Sequence, residues 1–310
     1  MYGGSKALFF ALSRSRALKR LASTYGMATP DSFARRFIAG ETVEEAIRDA
    51  RLLQGRGMLL TLDYLGESVG TMEAATAATQ EYVRLIDVIV ASGIERNISL
   101  KLTQLGVDVD RATCVDNLRR ILIPASKHGF FVRMDMENSR YTDVTLEVFE
   151  TLWQQEYRNI GLALQSALRR TEQDAQRMIA LGARVRLVKG AYKEPPAAAF
   201  QQKAEVDEAF RRLMRLLLER GTYPAIATHD EALIADTRAF ATERSIGRDR
   251  FEFQMLYGIR RDLQATLVAD GYRMRIYLPF GQQWFPYFMR RLGERPANVA
   301  FVLRALVSER

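Results

Sequence analysis

The chain has 310 residues, 48% of them hydrophobic, enough to bury a large core as one α/β barrel or as two smaller domains. Lysine and arginine outnumber aspartate and glutamate by 45 to 37, and the net charge of +8 fits anionic partners (phosphates, carboxylates, nucleic acid, an acidic membrane surface) without choosing among them. A single cysteine, Cys114, excludes an intramolecular disulfide framework; two histidines, His128 and His229, with no HExxH or CxxC argue against a transition-metal site; and no apolar run approaches the roughly 18–20 residues of a membrane span.

The opening segment carries Lys6, Arg14, Arg16, Lys19 and Arg20 and no acid before Asp31. A mitochondrial presequence has this bias, and so has a solvent-facing basic helix with Leu8, Leu12, Leu18 and Leu21 along an apolar stripe. Helices are predicted over 5–23, 31–38 and 42–53, the last opened by the capping-box pattern "TVEE" at Thr42. Residues 1–56 thus read as accessory helices packed on the domain that fills 57–310. From Gly57 onward, short apolar or alternating runs recur: "GMLLTLDYLGE", "ISLKLTQLG", "GFFVRMDME", "NIGLALQSA", "ARVRLVKGAY", "YPAIATHD", "FEFQMLYG" and "YRMRIYLP". Amphipathic stretches such as 73–91, 111–127, 201–220 and 231–244 lie between them. Eight strand–helix units predict a closed (β/α)₈ TIM barrel. A doubly wound open sheet is the competing architecture, but "GRGMLL" at Gly55 lacks the third glycine of a dinucleotide fingerprint, and no phosphate-binding P-loop is present.

Barrel enzymes build their sites at the carboxyl ends of the strands. Here those ends hold Asp63 and Glu67, Lys101, then Arg133, Asp135 and Glu137, then Gln165, Arg186 with Lys189 and Tyr192, Thr228–His229–Asp230, Gln254 and Tyr277. Charged groups are costly to bury unpaired, so a polar residue at the same end of strand after strand points to one shared site. Singly, each has a plain structural reading: Lys101 and Asp135 as an ion pair, Arg186 as a bridge between strands, Arg290 paired with Glu294 one turn on. As a set, Arg186, Lys189 and His229 suit an anion such as a diphosphate, and Arg290, Arg291 and Lys101 suit a carboxylate. No serine or cysteine sits beside a base, so a bound cofactor is expected to supply the difficult chemistry.

Several segments resemble the proline dehydrogenase family: "LDYLGE", "SLKLTQLG", "VRMDMENS", "LALQSALRRT", "VRLVKGAYKE", "IATHD", "FEFQMLYG" and "YLPFGQQWFPYFMRRLGERPAN", in order from "FARRFIAGE" at Phe33. The length resembles the short bacterial monofunctional form, without a fused aldehyde dehydrogenase domain. The resemblance implies a distorted barrel that binds FAD, oxidises L-proline to Δ1-pyrroline-5-carboxylate by hydride transfer to flavin N5, and passes electrons to membrane quinone. It implies catalytic roles for Asp135 and Arg186, and substrate contacts from Lys101, Tyr192, Leu256, Tyr277, Arg290 and Arg291. Glu67 would gate the site by pairing with Arg290. Met136, Gln165, Val188, Lys189, Gly190, Ala191, Thr228 and His229 match flavin-contacting positions. Asp230 departs from the asparagine of some relatives and puts a negative charge beside the expected diphosphate.

A paralogue acting on another cyclic amino acid such as 4-hydroxyproline is the near alternative, and Tyr277 argues against it, because it resembles the family's tyrosine that crowds the ring carbon that would carry the hydroxyl. Nucleic-acid binding would need a basic stripe interleaved with aromatics, whereas the notable cations fall at strand ends. A barrel that kept the flavin and lost activity finds no support at the matched positions. The quinone implies transient contact with an anionic membrane, in the cytoplasm at the inner membrane face or in a mitochondrial matrix. The product, an imine that hydrolyses to an aldehyde, implies a separate pyrroline-5-carboxylate dehydrogenase.

Overall fold

The structure is a computed structural model that describes residues 32–294, so the helix predicted over 5–23 lies outside the described residues. In chain order the elements are α1 (Val43–Gln54), β1 (Leu59–Tyr64), α2 (Met72–Ser92), β2 (Asn97–Leu100), α3 (Arg111–Lys127), β3 (Phe131–Met134), α4 (Thr142–Gln154) and β4 (Ile160–Gln165). They continue with α5 (Thr171–Ala180), β5 (Val185–Val188), α6 (Lys203–Arg220), β6 (Ala225–Ala227), α7 (Glu231–Glu243), β7 (Glu252–Leu256), α8 (Arg261–Ala269), β8 (Met274–Phe280) and α9 (Trp284–Glu294). The strands pair in parallel in chain order, and β8 closes on β1 from Leu59↔Arg275 to Tyr64↔Phe280. The predicted barrel is therefore the observed one.

Alternation along each strand sorts the side chains. Leu60, Leu62, Ile98, Leu100, Val132, Met134, Leu187, Ile226, Phe253 and Ile276 are buried in the hydrophobic layer between strands and helices. The intervening positions Asp63, Ser99, Arg133, Arg186, Glu252, Gln254 and Arg275 are also buried; Arg186 bonds to Gln254 and Ser99 and Arg275 to Glu252 across the barrel, while Arg133 donates to the Leu162 and Arg184 carbonyls. Period two puts one set outside and the other in the lumen. A barrel lumen is ordinarily filled by branched apolar residues; here it is filled by charges. Gly161 on β4 makes room for them, since a Cβ there would lie 2.9 Å from Arg133 Nη1 and 2.5 Å from the Arg184 carbonyl oxygen.

Ahead of α1, the helix predicted over 31–38 shrinks to a 3₁₀ turn, Phe33–Arg36. Tertiary bonds stop it: the Ala39 N–H donates to the Pro279 carbonyl and the Gly281 N–H to the Gly40 carbonyl, both at 2.9 Å, which sews this segment to the end of β8. The capping box at Thr42 forms in half. Thr42 Oγ1 accepts from the Glu45 N–H, but the Glu45 carboxylate turns to Arg35 and to the Glu41 N–H. The same segment meets the loop after β7, where Gly258 has φ +74° and a Cβ would fall 1.6 Å from the Arg36 carbonyl oxygen. Gly258→Ala is therefore expected to lower stability by at least about 1–3 kcal/mol and to expose residues 32–42 to proteolysis. Urea denaturation with limited digestion measures both.

Candidate active site

The upper lumen holds one continuous hydrogen-bonded network. Lys101, just past β2, donates to Asp63 Oδ1 on β1 (3.0 Å), to Asp135 Oδ2 just past β3 (3.1 Å) and to Tyr277 Oη on β8 (3.2 Å). Tyr277 donates to the same Asp135 oxygen at 2.6 Å. Arg186 on β5 reaches the other Asp135 oxygen at 2.7 Å, Gln254 on β7 at 2.6 Å and Ser99 on β2 at 3.0 Å. Its guanidinium carbon stands 5.3 Å from the centre of the Tyr277 ring, within cation–π range. Burial opposes ionisation of Asp135, yet Lys101 and Arg186 outweigh it and hold the carboxyl below the usual range. Burial would likewise discharge Lys101, but Asp63, then Tyr277 and Asp135, keep its pKa well above that of a free lysine. Asp63 is pushed up, burial outweighing Lys101. A deeper layer, with Arg275 bonded to Glu252 and Glu95, closes the lumen below.

Helix α9 lies at the carboxyl end of the barrel. Trp284, Phe285 and Phe288 are buried, Trp284 Nε1 donates to Glu41 Oε1 at 2.8 Å, and the rings of Phe288 and Phe37 stand 6.2 Å apart. These aromatics set the helix that carries Arg290 and Arg291. Arg290 pairs with Glu67, beyond β1, at 2.7 Å. Arg291 is buried, its guanidinium 5.0 Å from the Tyr287 ring centre. Tyr192, in the loop after β5, is 37% exposed. Burial, with Glu137 adding its charge, pushes its phenol up to about 12, while Lys101 and Arg290 act the other way; Tyr192 thus stands between the lumen network and α9.

A second set of groups lies at the ends of β3 to β7. Met136, Gln165 and Thr228 are buried, Val188 and Leu256 half-buried, and Gly190 and Ala191 exposed. Gln165 Nε2 donates to the Glu137 carbonyl at 2.8 Å, and the Leu256 N–H donates to His229 Nε2 at 2.9 Å, so that nitrogen carries no proton. Lys189 pairs with Asp207 (2.6 Å) and Asp230 (2.8 Å), and Asp230 also caps α7 at the Ala232 N–H. Burial opposes it, but Lys189 and Lys203 hold the Asp230 carboxyl at about 2.

The network thus unites Lys101, Asp135, Arg186 and Tyr277, and joins Arg290 to Glu67. Arg186, Lys189 and His229, which the sequence grouped around one anion, each have separate partners. Arg186 occupies a lumenal strand position beside Asp135, whereas Lys189 lies past the strand end beside two carboxylates. Sequence reading noted Asp63 and Gln254 at strand ends without assigning them to the site, and passed over Ser99 altogether. The available signal was period two: Asp63 alternates with Leu62 and Tyr64, and Ser99 with Ile98 and Leu100.

A charged lumen under a helix that carries two arginines is the arrangement of a (β/α)₈ enzyme. The family described as Proline dehydrogenase matches residues 46–304. Proline dehydrogenase 2 of Bacillus subtilis (strain 168) is 39% identical over 98% of this chain and 99% of its own length. Proline dehydrogenase of Deinococcus radiodurans is 42% identical over 89% of this chain and 90% of its own. Among solved structures, proline utilization A (PutA) from Bdellovibrio bacteriovorus, inactivated by N-propargylglycine, superposes with a TM-score of 0.79 at 29% identity over 84% of this chain. This chain spans only 32% of that PutA chain. The protein belongs to the proline dehydrogenase family, a family of oxidoreductases.

Removing the shared carboxylate should expose what it compensates. Asp135→Asn leaves Lys101 and Arg186 short of a counter-charge, with an expected loss of about 3–5 kcal/mol near neutrality. Because the folded pKa of Asp135 is depressed, its stabilisation is complete above the unfolded value of about 3.9 and fades as pH falls through the folded one. The gap between the wild type and Asp135→Asn should therefore be constant above about pH 5 and narrow below about pH 4, read from urea midpoints across pH.

Proposed function

We propose that this protein oxidises L-proline to Δ1-pyrroline-5-carboxylate with FAD as its resident cofactor and a membrane quinone as electron acceptor. The observation that supports this most is the pairing of Arg290 and Arg291, on a helix held by buried aromatics, with the closed lumenal network of Lys101, Asp135, Arg186 and Tyr277.

The residues at the ends of β3 to β6 fit a flavin. Met136, Gln165 and Val188 offer a largely apolar wall with a fixed amide. Gly190, at φ +107°, comes so close to the Gln165 side chain that a Cβ would lie 3.0 Å from its Oε1, which leaves the exposed Gly190–Ala191 backbone open to a ligand. Lys189, Thr228 and His229 would hold a diphosphate, with Asp207 and Asp230 as the partners from which Lys189 is drawn. Bound there, FAD supplies the hydride acceptor that no side chain of the site provides.

The protein's own residues do the positioning. Arg290 and Arg291 would clamp the substrate carboxylate, where the guanidinium fork gives two directed bonds. Tyr277, Leu256 and Tyr192 would wall the ring, and a fixed carboxylate orients the ring carbon next to nitrogen. Asp135 and Arg186 would act beneath it, their mutual bond keeping both in place. The Glu67–Arg290 pair is partly exposed, and such pairs contribute only about 0–1 kcal/mol, so it can break to admit substrate and reform as a gate. Burial disfavours a charged amine, so closure favours the neutral amine, which can lose a hydride from the adjacent carbon to leave an iminium and then release the N–H proton to water as the imine.

Residues 1–56 would serve as accessory helices to a catalytic barrel of 57–310. Among the described residues no helix is long and apolar enough to cross a membrane, so a quinone would be met by peripheral contact, favoured by the net charge of +8. The cytoplasm, at the inner membrane face, is the proposed location. The aldehyde formed when the product imine hydrolyses would pass to a separate pyrroline-5-carboxylate dehydrogenase.

L-Proline added without oxygen should bleach the flavin absorption of the purified protein, and 4-hydroxyproline should not. A protein that stays colourless with added FAD overturns the reading. Arg291→Met should lower kcat/KM for proline by about 10- to 100-fold, the effect of losing charge-assisted hydrogen bonds, measured by steady-state kinetics with a soluble quinone.

A further inference from the structure

Lys101 has three N–H hydrogens, and three acceptors already face it: Asp63, Asp135 and Tyr277. A carboxylate arriving from the mouth reaches this ammonium only by replacing one of them. Two of the three are carboxylates, and charge-assisted bonds are roughly twice as strong as neutral ones. Tyr277 is neutral, and its own hydroxyl hydrogen is directed to Asp135. It therefore keeps its donor bond when Lys101 turns away.

The two carboxylates are not equivalent. Asp135 is divided among Lys101, Arg186 and Tyr277. Asp63 is fully buried in the lumen, hydrogen-bonds through Oδ1 to Lys101, and has no hydrogen-bond partner at Oδ2. We propose that Asp63 is a positioning residue for substrate binding: it holds the Lys101 ammonium charged and in place, so that the Tyr277 contact is the one exchanged for a substrate carboxylate oxygen. This rests on the proline-oxidising reading above.

The groups facing Lys101 are Asp63 on β1, Asp135 after β3, Tyr277 on β8 and Tyr82 on α2. Glu137 and Tyr192 couple to it from the loops after β3 and β5, and Arg186 stands behind Asp135. Of these, Asp63 does most to keep the ammonium charged against the effect of burial. Neutralising Asp63 therefore lowers the pH at which Lys101 discharges. In that variant, carboxylate binding weakens as pH rises through the lowered value, where the wild type is flat.

The test uses tetrahydrofuran-2-carboxylate, proline with its ring nitrogen replaced by oxygen, so that no amine of the ligand titrates. Its inhibition constant is measured on the FAD-loaded enzyme from about pH 7 to about pH 10, below the ordinary lysine pKa. The expected result is a flat profile for the wild type and, for Asp63→Asn, a limb of weakening affinity that reaches about tenfold or more at the alkaline end. Asp63→Glu keeps the charge but displaces the carboxylate by one methylene; it should bind more weakly at every pH with no limb, and it decides the matter if the asparagine variant fails to fold. In a Lys101→Met background the Asp63→Asn effect should vanish. Wild-type profiles for both Asp63 variants, or an undiminished effect without Lys101, overturn the role of Asp63. A wild type that is neither reduced by proline nor inhibited by the analogue overturns the substrate reading itself.

Discussion

The rest of the structure depends on charge compensation inside the barrel. A lumen lined by Asp63, Lys101, Asp135 and Arg186, with Glu252 and Arg275 also buried, is tenable only because opposite charges meet within hydrogen-bond distance. An isolated buried charge costs far more than a fold can sustain, while a paired and hydrogen-bonded one is close to neutral in its effect. Two carboxylates and two cations in the upper layer sum to zero, so a substrate carboxylate adds an uncompensated charge. In the proposed reading the arginines of α9 would answer it: Arg290, already balanced by Glu67, and Arg291 beside it.

This compensation divides the labour between the faces of the sheet. The face toward the helices is apolar and supplies the hydrophobic stability. The lumenal face contributes little net stability and instead fixes geometry, since each lumenal group is oriented by at least one partner on another strand. Asp135 is held by contributions from β2, β5 and β8 together. A constellation tied from three sides reorganises little when a ligand arrives, which is what a preorganised site requires.

The mouth is built on the opposite principle. Helix α9 is anchored by aromatics and by a backbone segment sewn to β8, but the Glu67–Arg290 contact that spans the opening is a partly exposed ion pair. Such a pair is weak enough to open and specific enough to reform. The contrast between the buried lumen pairs and the partly exposed Glu67–Arg290 pair is one of how much water each charge sees.

Much of the fold was legible because period two and helical spacing are local properties of the chain: all eight strands, the barrel closure they imply, and the helices over 73–91, 111–127, 201–220 and 231–244 could be read directly. Lys101, Asp135, Tyr277 and the arginine pair were legible as polar groups at strand ends or on the last helix, and as residues resembling a family. What the chain did not disclose was partnership. That Arg186 meets Asp135, that Arg290 meets Glu67, and where the turn at Phe33–Arg36 stops all depend on segments far apart in sequence. Local periodicity decides which face a side chain takes; only closure of the barrel decides which charge it meets there, because Coulomb and hydrogen-bond energies depend on distance in space and not along the chain.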